Sequence, residues 1–273
     1  MSRNVQPHEW LFLSLGVAVT GALLCIGRLS PLLWKVVDPT ALYAILISLT
    51  DKTARWRLLG SYVMAWACYS GSAEVVDALH VPLRHQELWA IDAALFGKPP
   101  ALATVGIAPP WLNEFLSFGY LSYHVYLHWL LLEALLGLPQ WRTRLANPLF
   151  TAFGLGFVGY LLSPAATPEA AFPEVFNIPL TGSALTHWNI QINQAMASPY
   201  DAFPSLHILI TLVLLGVDWE ACRWRFWLML APSLLLSLST IMLRLHYAVD
   251  LMVAGILFIP IYQLQIRRAY ADS

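Results

Sequence analysis

The chain has 273 residues, of which 58% are apolar and only 11% are charged. Soluble proteins usually carry about 25% charged residues, and so few charges cannot cover the surface of a soluble fold. The composition therefore predicts a polytopic membrane protein. Fifteen Lys and Arg residues balance sixteen Asp and Glu residues without any basic block, which argues against a nucleic-acid partner.

The three cysteines, Cys25, Cys68 and Cys222, lie far apart, each in or next to an apolar run. No Cys-x-x-Cys pair is present, and the spacing indicates neither a disulfide framework nor a zinc site. We interpret all three as packing residues.

Eight segments are apolar and long enough to cross a bilayer core of about 30 Å, which needs about 20 residues per helix. They lie near 9–27, 31–50, 58–79, 112–137, 144–163, 204–220, 226–245 and 246–266. The sequence therefore predicts an all-α fold, a polytopic membrane helix bundle. The amphipathic, proline-punctuated segment 85–111 is expected to lie in the membrane interface instead of crossing.

The distribution of basic residues predicts that both termini are cytoplasmic. In that orientation 10 of the 15 basic residues lie inside, as the positive-inside rule favours: Arg3, Lys52, Arg55, Arg57, Arg142, Arg144, Arg223, Arg225, Arg267 and Arg268. Arg28, Lys35, Arg84, Lys98 and Arg244 are then outside. The long 164–203 loop contains no Lys or Arg, which suits a non-cytoplasmic loop.

Three ionisable residues mark the non-cytoplasmic ends of the last spans. His207 opens span six, and His246 and Asp250 open span eight. A spacing of four places His246 and Asp250 on one helix face, where the carboxylate can fix the imidazole tautomer and leave the other nitrogen free to attack. Two histidines and a carboxylate suit a covalent phosphoenzyme. The alternative is a hydrogen bond that only pairs helices.

Span four carries a further polar group: Tyr120, Ser122, Tyr123, His124, Tyr126 and His128. His124 and His128 are one helical turn apart, a spacing that favours an interhelical hydrogen bond. The alternative is that this polar group forms a wall of the active site, for which Tyr120 and Tyr123 are the better candidates. A metal site is disfavoured, because no third ligand has helical spacing with the two histidines.

The motifs around His207, His246 and Asp250 resemble those of the type 2 phosphatidate phosphatase superfamily. Its second motif, usually Pro-Ser-Gly-His, corresponds to Pro204-Ser205-Leu206-His207. Its third motif has Ser-Arg, five residues, His, three residues and Asp, whereas this chain has Ser239-Thr240, His246 and Asp250 at the same spacing. The two departures, Leu206 and Thr240, resemble the inositol phosphorylceramide synthase branch, the target of aureobasidin A.

The resemblance implies a six-helix catalytic membrane domain over 58–273, preceded by an N-terminal transmembrane pair over 1–57. It implies that His246 is the nucleophile, Asp250 its orienting carboxylate and His207 the acid and base, with neither metal nor cofactor. The superfamily's basic first motif has no counterpart near residue 160, where Glu169 stands instead. Candidate phosphate- or substrate-binding residues are therefore Arg244, Lys98, Ser205, Tyr120 and Tyr123.

Three functions remain open from the sequence. The first is a lipid phosphotransferase that moves a phospho-headgroup through phosphohistidine onto a lipid hydroxyl. The second is a lipid phosphate phosphatase with the same residues and water as acceptor, and the third is a non-enzymatic transporter or channel. The missing Lys and Arg of the first motif favour a phosphodiester donor and hence transfer.

We expect membrane lipids as substrates, an active site facing away from the cytoplasm, and the plasma membrane if the host is bacterial. The sequence leaves the donor, the acceptor, any regulatory subunit and the oligomeric state open.

Overall fold

The computed structural model describes residues 5–27 and 31–271. Arg3 and Arg28, which were counted in predicting the membrane orientation, lie outside these ranges. The described ranges contain helices and no β-strand, so the predicted all-α fold is confirmed. The helices are α1 Pro7–Cys25, α2 Pro31–Leu49, α3 Arg55–Leu79, α4 His85–Phe96, α5 Pro110–Leu136, α6 Pro139–Leu162, α7 Pro168–Ala171, α8 Ala184–Met196, α9 Leu206–Ala221, α10 Arg223–Met242, α11 Ala248–Ile261 and α12 Arg267–Ala271.

The eight predicted spans coincide with α1, α2, α3, α5, α6, α9, α10 and α11. Within residues 5–27 and 31–271, five helical segments are long and apolar enough to cross a membrane, namely α1, α2, α6, α10 and the stretch from α11 through α12. The chain is therefore an integral, multi-pass membrane protein. Of the other three helices, α9 has only 16 residues, and α3 and α5 carry polar side chains that line a cavity. Their crossing of the bilayer stays a prediction.

Helix α9 is the centre of the bundle, because 11 of its 16 residues are buried. It packs against α5, α6, α10 and α11. Helices α1 and α2 pack on each other and on α3, and α1 also contacts α6. Phe12 and Tyr43 from this N-terminal pair join the same hydrophobic core as Phe157 and Leu214. The division of the chain at 57/58 stays a prediction.

Two buried arginines at the predicted cytoplasmic end are paired with carboxylates. The Arg57 guanidinium donates to Glu9 through Nε (2.7 Å) and Nη2 (2.5 Å), which joins α3 to α1. Arg225 donates to Asp218 at 2.6 and 2.9 Å, and the Tyr126 hydroxyl donates to the same carboxylate at 2.6 Å. Removing one partner would leave a buried charge, which is strongly destabilising. These arginines therefore hold helices together.

The 164–203 connection, predicted as a loop, contains the short helix α7 and the 13-residue helix α8. The Glu114 carboxylate on α5 caps α8, because it accepts hydrogen bonds from the backbone N–H groups of Ser183, Leu185 (3.2 Å) and Thr186 (3.1 Å). These are first-turn donors that the helix itself cannot satisfy. A helix of this length is too short to be recognised as a span, and its cap lies about 70 residues away in sequence.

Helix α4, in the segment predicted to be interfacial, has 12 residues and is too short to cross the bilayer core. The buried Asp92 carboxylate on α4 accepts from the backbone N–H groups of Ala248 (2.8 Å) and Val249 (2.9 Å). These are the first residues of α11. Helix α4 therefore fixes the position at which α11 begins.

Candidate active site

His207, His246 and Asp250 come together at one end of the bundle. His207 is the second residue of α9, His246 lies in the turn between α10 and α11, and Asp250 is in the first turn of α11. The Nδ1 atom of His207 lies 3.3 Å from Nε2 of His246. The other nitrogen of His246, Nδ1, lies 3.4 Å from Oδ2 of Asp250. The predicted juxtaposition of two imidazoles and a carboxylate is thus present, whereas their roles stay predictions.

The hydrogen-bond partners of His246 assign its tautomer. Its Nδ1 atom lies 2.8 Å from the backbone carbonyl oxygen of Ala202, closer than it lies to Asp250. Because a carbonyl oxygen only accepts hydrogen bonds, Nδ1 carries the proton. In the neutral ring Nε2 then holds a lone pair, and this atom faces His207. The arrangement matches that of a nucleophilic imidazole.

His207 is held by two tyrosines of α5. The Tyr120 hydroxyl lies 2.9 Å from Nε2 of His207 and itself donates to Oδ1 of Asn193 at 2.9 Å. The rings of Tyr120 and Tyr123 both have centroids 4.9 Å from that of His207. When Tyr120 donates to Asn193, its oxygen accepts from Nε2–H of His207. Nδ1 of His207 can then donate to Nε2 of His246 only when His207 is doubly protonated, the form in which a histidine acts as a general acid.

The loop before α9 is fixed by Asp201. Its carboxylate accepts from the Tyr69 hydroxyl (2.5 Å) and from the backbone N–H of Ser198 (3.1 Å). The next residue, Ala202, donates its N–H to the Ala165 carbonyl at 3.1 Å. Desolvation raises the pKa of the Asp201 carboxyl above its ordinary value. These contacts hold the Ala202 carbonyl against His246, so Asp201 organises the loop and does not orient His207 directly.

A cavity of about 380 Å³ opens over the two histidines. Its walls are largely aromatic, and its carboxylates are Asp201 and Glu169. Among the described residues that line it, there is no Lys or Arg. The lining includes Tyr62, Trp66, Tyr69, Tyr120, Tyr123, His124, Phe153, Phe157, Tyr160, Asn193, His207 and His246. The cavity therefore suits a largely apolar ligand that carries little negative charge.

Arg244, the leading candidate for phosphate binding, is buried beside this cavity with a left-handed backbone (φ 65°). Its guanidinium donates to the Ile178 carbonyl (2.7 Å) and to Glu169 (3.2 Å), and it packs over the ring of Phe176. Burial raises the pKa of the Glu169 carboxyl, and Arg244 opposes this shift. Glu169 thus stands between Arg244 and the cavity.

The other substrate candidates occupy different surroundings. Lys98 is exposed, two residues after the end of α4. Ser205 is buried, and its hydroxyl has no hydrogen-bond partner among the described residues. Tyr120 and Tyr123 are buried and line the cavity. The structure thus brings the two tyrosines to the histidine pair, and contact of any of these residues with a substrate stays a prediction.

The histidines of span four have separate partners. His128 contacts the Tyr62 hydroxyl through Nε2 (3.0 Å) and donates from Nδ1 to the His124 carbonyl (2.7 Å). The contact between His128 and Tyr62 is an interhelical hydrogen bond between α5 and α3, as the sequence favoured. Both histidines also line the cavity, and their part in an active-site wall stays a prediction.

Three contributors to the site were not predicted. The Ala202 carbonyl has no signature in a side-chain pattern. Asn193 lies in a segment predicted to be a loop. Tyr69 lies in span three, where Tyr62, Trp66 and Tyr69 follow each other at spacings of four and three. That helical stripe of amphipathic aromatic residues was the available signal for a cavity wall.

A family model described as PAP2 superfamily matches residues 86–264. The matched segment contains His207, His246 and Asp250 and covers more than half of the chain, so the chain belongs to the type 2 phosphatidate phosphatase (PAP2) superfamily. The protein is accordingly an enzyme of the phosphatase and phosphotransferase class that this superfamily comprises. Comparison with curated proteins and with solved structures found no match.

Proposed function

We propose that this protein is a lipid phosphotransferase that moves a phospho-headgroup from a phosphodiester lipid to His246 and then to a lipid hydroxyl. Superfamily membership supports phosphatase or phosphotransferase activity in general. The geometry of the histidine pair and the character of the cavity support the finer assignment.

In the first step, Nε2 of His246 attacks phosphorus, and the bond from phosphorus to the leaving lipid oxygen breaks. His207 gives its proton to that oxygen as general acid, a contribution worth about 10²–10⁴-fold in rate. The Ala202 carbonyl and Asp250 hold the proton on Nδ1 and stabilise the positive ring. In the second step, the acceptor oxygen attacks phosphorus, the acceptor proton passes to His207, and the P–N bond breaks.

The observation that carries the choice of a phosphodiester donor is the lack of Lys and Arg among the described residues of the cavity wall. A phosphomonoester bears about −1.5 to −2 charge at pH 7 and needs cationic or hydrogen-bonding partners in a site of low dielectric. A phosphodiester bears one negative charge. The carboxylates of Asp201 and Glu169 on the same wall add to the penalty for a dianion.

The inositol phosphorylceramide synthase-like specificity rests on the resemblance at Leu206 and Thr240. Leu206 packs on Gly156, where an added Cβ would lie 2.3 Å from the leucine side chain. The Thr240 hydroxyl donates to the Ser237 carbonyl (2.9 Å), and the backbone carbonyl of Thr240 accepts from the N–H of His246 (2.9 Å). Both residues have packing roles, so an inositol headgroup remains a proposal that rests on sequence resemblance.

The same proposal places the active site on the non-cytoplasmic face with both termini inside, and places the protein in the plasma membrane if the host is bacterial. The alternative function is a lipid phosphate phosphatase, in which water replaces the lipid hydroxyl in the second step. The superfamily accommodates both, because they differ only in the acceptor.

The test is a product assay on purified protein in liposomes, with labelled phosphodiester lipids as donors and ceramide and diacylglycerol as acceptors. We expect a new phospholipid from the wild type and none from His246→Ala, with His187→Ala, an exposed histidine away from the cavity, as the matched control. Release of free phosphate from a lipid monophosphate, without transfer between lipids, would establish the phosphatase instead.

A further inference from the structure

His124 lies in α5, a predicted membrane span, and the mechanism leaves it unused. Its side chain lines the cavity, and its Nε2 atom is buried without a hydrogen-bond partner among the described residues. Its ring lies 5.1 Å from that of Tyr123, which in turn packs on His207. A buried polar atom without a partner costs free energy, and an ionisable residue within a membrane helix indicates function by default. A ligand that bonded His124 would remove this cost.

The cavity beside His124 is bordered by α3 and α5. Helix α3 packs on α1, α2 and α6, and α5 packs on α6, α8, α9 and α10. Across the cavity the two helices are joined by the hydrogen bond between Tyr62 and His128. Trp66 and His128 are exposed, and they face lipid if α3 and α5 cross the bilayer as predicted. Side chains therefore close the cavity on the side that lies between α3 and α5.

We propose, on the basis of the proposed function, that His124 binds the hydroxyl group of the acceptor lipid, which enters from the bilayer between α3 and α5. In its Nε2–H tautomer, His124 donates a hydrogen bond to the acceptor oxygen. The hydroxyl proton then remains free to pass to His207 as the oxygen attacks phosphorus and the P–N bond of phosphohistidine breaks. The hydrocarbon part of the acceptor lies against Trp66, Leu127 and Phe153 on the cavity wall.

This assignment predicts a specific defect in the second half-reaction. In His124→Leu, we expect the apparent KM for the acceptor lipid to rise about tenfold, the factor that corresponds to loss of one hydrogen bond worth about 1.4 kcal/mol. The ratio of transfer to hydrolysis falls by the same factor, since water still reaches phosphohistidine. His124→Gln retains an N–H donor and restores most of the transfer.

The experiment measures donor cleavage, new phospholipid and free phospho-headgroup in the same liposomes, at several ceramide or diacylglycerol concentrations. His187→Leu serves as the matched control, because His187 is exposed on α8 and away from the cavity. Size-exclusion chromatography and thermal unfolding establish that each variant is folded.

A His124→Leu protein with the wild-type acceptor KM and transfer ratio would overturn the acceptor site and leave the transferase function intact. Equal loss of donor cleavage and transfer in folded His124→Leu would also overturn it, because the residue would then serve the structure or the first half-reaction. A wild-type protein that never transfers to a lipid would instead refute the proposed function itself.

Discussion

His246 has two acceptors for its Nδ1 proton, and the backbone carbonyl of Ala202 is the nearer one. Asp250 is 0 % exposed, and its Oδ2 atom also accepts from the backbone N–H of Tyr247 at 2.9 Å. The carboxylate therefore caps the first turn of α11, and in the proposed mechanism it also stabilises the positive imidazole that forms during attack.

Replacing Asp250 with Asn removes the negative charge but leaves the Ala202 carbonyl to hold the tautomer. We expect phosphoenzyme formation to slow about 10²-fold, within the usual range for loss of acid–base assistance, whereas His246→Ala abolishes it. Rapid-quench measurement of labelled protein gives the rate. An Asp250→Asn protein that is folded yet as inactive as His246→Ala would show that the carbonyl does not maintain the tautomer.

The sequence predicted the residues of the histidine pair and Asp250, because their spacing and their positions at span ends are visible in the chain. Tyr120 was predicted as an active-site-wall or substrate-binding residue, but its hydrogen bond to His207 and the contact of the Ala202 carbonyl with His246 were not predicted. The Ala202 carbonyl is a backbone group, and Tyr120 reaches His207 from a helix 87 positions away in sequence. Such contacts depend on helix packing, which periodicity does not specify. The contacts of Arg244 with Glu169 and Ile178 were likewise not predicted, and phosphate binding by Arg244 stays a prediction.

At the scale of elements, the start of α11 depends on α4. Asp92 supplies acceptors for two N–H groups that open α11, just after His246 and just before Asp250. Boundary residues of the long helices follow the predicted spans within a few positions, since hydropathy and proline mark them. Helix α8 could not be predicted in the same way, because its cap, Glu114, and its packing partner, α5, are distant in sequence.

Replacing Asp92 with Ala leaves two first-turn N–H groups of α11 without their acceptor. We expect a loss of about 1 kcal/mol in the free energy of unfolding, typical of a lost N-terminal cap, together with a lower kcat because His246 and Asp250 lose their fixed relation. Thermal unfolding in detergent and the liposome assay measure the two effects. The control is Glu174→Ala, which changes an exposed carboxylate. Equal unfolding temperatures and equal activities of the two variants would refute the capping of α11 by Asp92.

At the scale of the whole molecule, composition and hydropathy predicted an all-α membrane bundle, and the structure confirms it. They did not predict that α9 would lie at the centre or that α1 and α2 would contribute to the same core as the later helices. The orientation of this bundle in the membrane rests on the distribution of Lys and Arg and stays a prediction. The His207–His246 pair and α8 lie toward the end that the charge argument assigns to the non-cytoplasmic side.

Single cysteines in a protein whose Cys25, Cys68 and Cys222 are replaced by Ala test this orientation. We expect Ser183→Cys, exposed before α8, to react with a membrane-impermeant maleimide in intact cells. Gln140→Cys, exposed at the start of α6, should react only after permeabilisation, since it lies near the predicted cytoplasmic residues Arg142 and Arg144. The opposite labelling pattern would invert the topology and place the active site on the cytoplasmic side.

In the proposed mechanism, the phospho-headgroup is carried covalently on Nε2 of His246. The most direct measurement uses a donor lipid radiolabelled at phosphorus, an alkaline quench that preserves phosphohistidine, and mass spectrometry of the labelled peptide. We predict label on the wild-type peptide that contains His246, lost on mild acid treatment and absent from His246→Ala. Label on another residue, or turnover that persists in His246→Ala, would show that His246 does not carry the phospho-headgroup.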